Sequence, residues 1–182
     1  MEKRKMTFFG VISLLLVFSL GVVIVIFQFK NFGSLMEFIM GMVASSMADG
    51  TSIPEVNLIS ITLVVIYSGM FFYLIFAYIG TWIGVGSRKQ GGYLVSMIFG
   101  FFALFGAFEV LALILLSDYI GGMVENLLSG LEYQIDFFID LKEIKFEAMV
   151  VVPLSVAQFI FAIISYARQV SLNKKAKLQA AQ

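Results

Sequence analysis

The chain of 182 residues contains no cysteine and no histidine, and it has only two prolines. Without cysteine no disulfide framework can form, and the redox compartment cannot be inferred. Without histidine, zinc or haem sites with histidine ligands, Ser-His-Asp triads and histidine proton relays are excluded. Since no nucleophile with a matching base is evident either, we expect a protein that is not an enzyme and that has no metal or cofactor, although it could bind lipid.

Charge is also scarce. Charged residues make up 13% of the chain, hydrophobic residues 60%, and the mean hydropathy is +0.99. A soluble domain has roughly a quarter charged residues. Four charge-poor stretches, at about 6–29, 56–87, 92–117 and 148–167, are each long enough to cross the hydrocarbon core as a helix. They predict an all-α membrane protein with one membrane domain, loops at 30–55 and 118–147, and a tail at 168–182.

The few charged residues are distributed unevenly between the two sides of these spans. Ten of the twelve acidic residues fall in the loops at 30–55 and 118–147, whereas most basic residues fall at the N terminus, at Arg88 and Lys89, and in the tail. This distribution follows the positive-inside rule, so both termini are expected in the cytoplasm and both loops outside. We expect a multi-pass protein of the cell membrane, in contact with lipid and with no basic patch for nucleic acid.

Both outside loops contain patterns of short amphipathic helices. Ser34 and Glu37 form a capping box before an apolar run, which predicts a helix at the membrane interface. In the second loop, apolar residues recur at helical spacing from Ile120 to Ile135. Another face of that helix carries the acidic residues Glu125, Glu132, Asp136 and Asp140. Because the spacing has no EF-hand pattern, we interpret this acidic face as solvated rather than as a calcium site.

Small residues indicate how the second and third spans pack. Gly91 and Gly92 follow the basic residues Arg88 and Lys89, which predicts a tight antiparallel hairpin at this point. Small residues let two helix backbones approach closely within a membrane. The predicted packing residues are Gly80 and Gly84 in the second span, and Gly92, Ser96, Gly100, Ala103 and Ala107 in the third.

Glu109 is the only charged residue inside the four apolar stretches. A carboxylate within the hydrocarbon is costly, and such residues usually serve a function. Gln158 is the only strongly polar residue of the fourth span, and it lies at a depth similar to that of Glu109. We therefore predict a hydrogen-bonded pair of Glu109 with Gln158 inside the membrane, and keep an ion-binding role for Glu109 as the alternative.

These motifs together resemble those of the tetraspanins. The segment Gly84-Val85-Gly86-Ser87-Arg88-Lys89 is similar to the glycine-rich motif and basic turn after the second span of that family. Glu109 and Gln158 correspond to polar residues of its third and fourth spans. The chain departs from the family in lacking both motif cysteines and the disulfides of a large second outside loop. The resemblance implies a protein that organises membrane partners by packing and not by chemistry.

Two classes of function therefore remain open. The first is a tetraspanin-like scaffold that organises partner proteins or lipids laterally, either with another membrane protein or as a homo-oligomer. The second is a channel or transporter subunit, in which Glu109 would be a protonation or cation site. An accessory subunit of a larger membrane complex is a further alternative to the scaffold.

Overall fold

The computed structural model describes residues 2–47, 56–117, 119, 122–123, 137–138 and 141–180. Four helices account for nearly all of them: α1 (Glu2–Met47), α2 (Leu58–Ser87), α3 (Gln90–Leu115) and α4 (Leu141–Ala180). All four are long and apolar enough to cross a membrane. The prediction of a helical protein with four candidate membrane spans is thus confirmed. The acidic face Glu125, Glu132, Asp136 and Asp140, with the helix predicted around it, lies outside the described residues.

The helices form a closed ring in chain order. α1 packs against α2 and α4, and α3 packs against the same two helices. Short β1 (Val56–Asn57) and β2 (Phe137–Phe138) precede α2 and α4, and they pair in parallel. This direction is expected, because α2 and α4 run the same way through an up-and-down bundle. We call the end with the start of α1, the α2–α3 turn and the end of α4 the terminal end, and the opposite end the loop end.

Buried residues recur at alternating steps of three and four along every helix. These buried positions, which we call the seam, are Gly10, Ser13, Val17, Leu20, Ile24, Phe27 and Asn31 in α1; Ser60, Leu63, Tyr67, Met70, Leu74, Ala77, Thr81 and Gly84 in α2; Tyr93, Ser96, Gly100, Ala103, Ala107 and Val110 in α3; and Ile144, Ala148, Val151, Ser155, Gln158, Ala162, Ser165 and Gln169 in α4. A repeat of about 3.5 residues implies left-handed coiling of the helices around a common core.

Two helices extend well beyond the predicted spans. α1 continues without interruption to Met47, so Ser34 does not begin a separate helix, and 30–47 is a continuation of the first span. No proline occurs in this stretch to break the helical backbone. α4 likewise begins at Leu141, before the predicted start, and continues through most of the predicted tail. Pro153 therefore lies inside this helix.

The hairpin between α2 and α3 is tight, but its turn lies at Arg88 and Lys89 and not at the two glycines. Arg88 has a φ of 52°, in the left-handed region that costs a non-glycine residue about 1–2 kcal/mol. Gly91 and Gly92 already belong to α3. A Cβ at Gly92 would lie 2.7 Å from the carbonyl oxygen of Gly80, so this glycine serves helix contact instead of chain reversal.

Candidate functional site

A buried carboxylate joins three helices near the loop end. Glu147 of α4 is 0% exposed. The hydroxyl of Tyr67 donates a hydrogen bond to its Oε2 at 2.6 Å, and Asn31 Nδ2 donates to Oε1 and Oε2 at 3.2 and 3.3 Å. Lys30 Nζ lies 3.4 Å from Oε1 and is 41% exposed. The charge of Glu147 is therefore compensated by one cation and by neutral donors, as buried charges require.

Local packing places these side chains. Asn31 and Tyr67 occupy seam positions, and Glu147 directly precedes the seam residue Ala148. The ring of Phe27 lies 6.1 Å from that of Tyr67, which fixes the tyrosine beside α1. Asn31 Nδ2 also donates to the carbonyl oxygen of Phe27 at 2.9 Å. We call these four residues the carboxylate cluster: Lys30, Asn31, Tyr67 and Glu147. The sequence patterns do not predict this cluster, because Lys30 and Glu147 fall in the predicted loops.

Glu109 does not point into the bundle. It is exposed on α3 and lies in a groove of about 550 Å³ between α2 and α3. The other groove residues are apolar, aromatic or glycine, among them Val65, Gly69 and Phe105. Glu109 has no hydrogen bond or ion pair with any residue in the described part of the chain. Its carboxyl group therefore faces the surroundings of the bundle from an apolar surface.

The predicted hydrogen bond between Glu109 and Gln158 is not formed. Gln158 is fully buried, and neither its Nε2 nor its Oε1 has a hydrogen-bond partner among the described residues. Its amide packs against Gly100, where a Cβ would lie 2.7 Å from Nε2. At 100° per residue, Glu109 lies about 180° around α3 from Gly100, so the face of α3 that meets α4 is opposite to Glu109.

Several small residues of α2 and α3 lie where the two helices are in close contact. A Cβ at Gly80 would be 2.7 Å from the carbonyl oxygen of Gly92 and 2.9 Å from the amide nitrogen of Ser96. A Cβ at Gly84 would be 2.8 Å from the ring of Tyr93. Thr81 and Ser96 also share a hydrogen bond of 2.6 Å between their hydroxyls. Gly80, Gly84, Gly92 and Ser96 thus form the α2–α3 contact at the terminal end.

The remaining predicted packing residues face other parts of the core. Gly100 faces α4 through Gln158, and Ala103 and Ala107 are fully buried in the apolar core. A second, almost entirely apolar groove of about 440 Å³ lies between α1 and α2, with Gly21 and Leu74 among its residues. No three acidic side chains within the described ranges are close enough together to hold a metal ion.

No protein-family model, curated protein or solved structure matches this chain. The four apolar helices are consistent with a multi-pass membrane protein. No family match supports the assignment to the tetraspanins, which stays a prediction from the sequence motifs.

Proposed function

We propose that this protein is a non-enzymatic membrane scaffold that holds another membrane-spanning protein at its side, as the tetraspanin resemblance implies. The observation that carries the proposal is the exposed carboxyl group of Glu109 on an otherwise apolar groove between α2 and α3. From the positive-inside distribution of charge we further infer that both termini are cytoplasmic and that the protein lies in the cell membrane.

An exposed carboxyl group within a membrane span requires compensation. Insertion measurements put a charged side chain at the centre of a membrane helix at roughly 2.5–3.5 kcal/mol. Glu109 lies within the α3 span, and the described residues offer it no donor or cation. Glu147 differs from Glu109 in this respect, because Lys30, Asn31 and Tyr67 surround its carboxylate. A partner that brings a donor to Glu109 would gain a strong, directional contact inside the membrane.

The shape of the groove suits a helix. A Cβ at Gly69 would meet nothing within 4 Å, so the groove floor is open at this glycine. Glycine at a helix surface lets a second backbone approach closely, which favours association where lipid removes the hydrophobic driving force. The aromatic side chains of Tyr73, Phe101 and Phe105 form the groove walls. The occupant is accordingly a membrane-spanning helix with one lysine, arginine or amide side chain at the level of Glu109.

Crosslinking from the groove tests this proposal. A photoreactive amino acid at Phe105 would be activated in native membranes, and the crosslinked peptide would be identified by mass spectrometry. We expect a membrane-spanning segment with a basic or amide residue. Glu109→Leu should reduce the crosslink yield at least about tenfold, equivalent to 1.4 kcal/mol. Phe108→Leu is the matched control, since Phe108 is exposed beside Glu109 but does not line the groove.

Crosslinks to lipid alone, or a yield that Glu109→Leu leaves unchanged, would overturn the proposal. Crosslinks to a second copy of the chain would mean that the groove binds another copy of this protein and not a different partner.

The channel or transporter alternative makes a different prediction. Because Glu109 faces away from the bundle core, a pore with Glu109 in its wall would have to form between several copies. Proton or sodium flux into liposomes that Glu109→Gln abolishes would favour that alternative.

A further inference from the structure

The core of the bundle differs between its two halves. Toward the terminal end, several fully or almost fully buried polar side chains have at least one nitrogen or oxygen atom without a hydrogen-bond partner among the described residues. They are Ser13, Tyr93, Ser155, Gln158, Ser165 and Gln169. Buried polar groups in proteins are nearly always hydrogen-bonded to protein or to ordered water. A group of unpartnered atoms in one half of a core therefore indicates an occupant.

These side chains face one shared interior. All of them occupy seam positions of α1, α3 or α4. The hydroxyl of Tyr93 reaches across the core to α1, where a Cβ at Gly10 would lie 2.6 Å from it. On the opposite side, the ring of Phe9 lies 6.3 Å from that of Phe161, which places the adjoining residues of α1 beside the middle of α4. Ser13, one turn beyond Gly10, therefore lies near the level of Gln158, and Ser165 lies about two turns of α4 nearer the terminal end.

The chemistry of the group defines its occupant. It consists of hydroxyl and amide groups and includes no Asp, Glu, Lys or Arg, so it offers nothing to balance an ion. It supplies both donors and acceptors, as a small neutral molecule with hydrogen-bonding ability requires. We propose that ordered water molecules fill this part of the core, which we call the hydrated seam, and that they bridge Ser13, Tyr93, Ser155, Gln158 and Ser165.

A polar route leads to the hydrated seam from the terminal end. Gln169 donates to Asn173 at 2.9 Å, Asn173 donates to Gln90 at 3.4 Å, and Gln90 donates to Tyr166 at 3.2 Å. On α4 the polar residues then continue inward through Ser165 and Gln158 to Ser155. At 1.5 Å per residue, the distance from Gln169 to Ser155 is about 21 Å.

The hydrated seam is closed toward the loop end. The next core layers consist of apolar side chains, including Leu20, Leu74, Ala107 and Val151. These layers separate the water from the carboxylate cluster at Glu147. The hydrated seam therefore ends before the carboxylate cluster, and it does not form a continuous pore through a single copy of the protein.

The absence of cysteine makes the test direct. Single substitutions Ser165→Cys, Ser13→Cys and Ser155→Cys would be treated in nanodiscs with Ag⁺, which is nearly as small as water and reacts with thiols in aqueous surroundings. The protein would then be unfolded and labelled with a maleimide. We expect Ag⁺ to block labelling of all three variants at least ten times faster than that of Ala107→Cys, a control in the apolar core. Equal protection of Ser165→Cys and Ala107→Cys would overturn the proposal.

A second measurement does not depend on access of the probe. Gln158→Met replaces the amide by an apolar side chain of similar shape. If water bridges Gln158 to its neighbours, the substitution should lower the Tm by roughly 2–4 °C or more. A higher Tm would mean that an unsatisfied amide has been removed, and it would contradict a hydrated seam. Thr81→Val, which removes a hydroxyl already paired with Ser96, should lower the Tm in either case.

Discussion

Tyr67 of α2 and Glu147 of α4 are 80 positions apart in the chain, yet their side chains share a 2.6 Å hydrogen bond in the core. α2 and α4 are not neighbours in the helix ring, so this bond crosses the bundle. Asn31 and Lys30 of α1 reach the same carboxylate. One buried carboxyl group thereby joins side chains of three helices near the loop end.

Removal of the tyrosine hydroxyl tests how much this bond stabilises the bundle. Tyr67→Phe leaves Glu147 buried with one donor fewer, and such a loss costs roughly 1–3 kcal/mol. We expect a decrease in Tm of several degrees, measured by circular dichroism of the protein in nanodiscs. Tyr78→Phe is the control, since no hydrogen bond of its hydroxyl is found among the described residues. Equal Tm values for the two variants would mean that the bond to Glu147 contributes nothing.

The carboxylate cluster should also respond as a unit. Tyr67→Phe and Asn31→Ala remove two donors from the same carboxylate, so the first loss should change the cost of the second. Groups in one hydrogen-bonded network typically show interaction energies of about 0.5–3 kcal/mol in a double-mutant cycle. The free energies of unfolding of the two single variants and the double variant give this value. Strict additivity would show that Asn31 and Tyr67 act independently on Glu147.

The four helices and the hairpin after Ser87 were predictable from the sequence, because long charge-free stretches directly reflect the solvent around a membrane span. The helices α1 and α4 nevertheless extend beyond the spans predicted for them. Those two spans were predicted to stop at a charged residue, whereas the partly exposed Lys30 and the buried Glu147 pair with one another where α1 meets α4. Their pairing depends on helix neighbours that hydropathy alone does not define.

One signal in the sequence would have extended α1 and α4 to their observed lengths. The seam steps continue from Ile24 through Phe27 to Asn31, and from Val151 back through Ala148 to Ile144. Following this 3.5-residue repeat would have extended both helices, brought Asn31 into the core and placed Glu147 inside a helix, directly beside the seam residue Ala148. The same repeat places Gly100 on the seam and leaves Glu109 off it. The pairing of Glu109 with Gln158 relied on depth alone, although hydrogen bonding also requires that both residues lie on facing sides of their helices.

Two adjacent glycines of α3 should behave in opposite ways. At Gly92 a Cβ would lie 2.6 Å from the amide nitrogen of Gly84 and 2.7 Å from the carbonyl oxygen of Gly80, both backbone atoms. Gly92→Ala should therefore force α2 and α3 apart and lower the Tm markedly, because backbone yields less than a flexible side chain. At Gly91 a Cβ would meet nothing within 4 Å. Gly91→Ala should be neutral or stabilise the helix by up to about 1 kcal/mol. Similar Tm changes for the two variants would argue against close packing at Gly92.

The stability of the isolated protein should not depend on Glu109. Because its carboxyl group has no hydrogen bond or ion pair within the described residues, Glu109→Leu removes no internal contact. The substitution also removes a costly carboxyl group from a membrane span, so we expect an equal or higher Tm in nanodiscs. Glu147→Leu provides the contrast, since it leaves Lys30, Asn31 and Tyr67 without their shared acceptor and should lower the Tm by several degrees. A Tm loss for Glu109→Leu as large as that for Glu147→Leu would mean that Glu109 contributes to the fold of a single copy, and the groove would then lose its significance as a partner site.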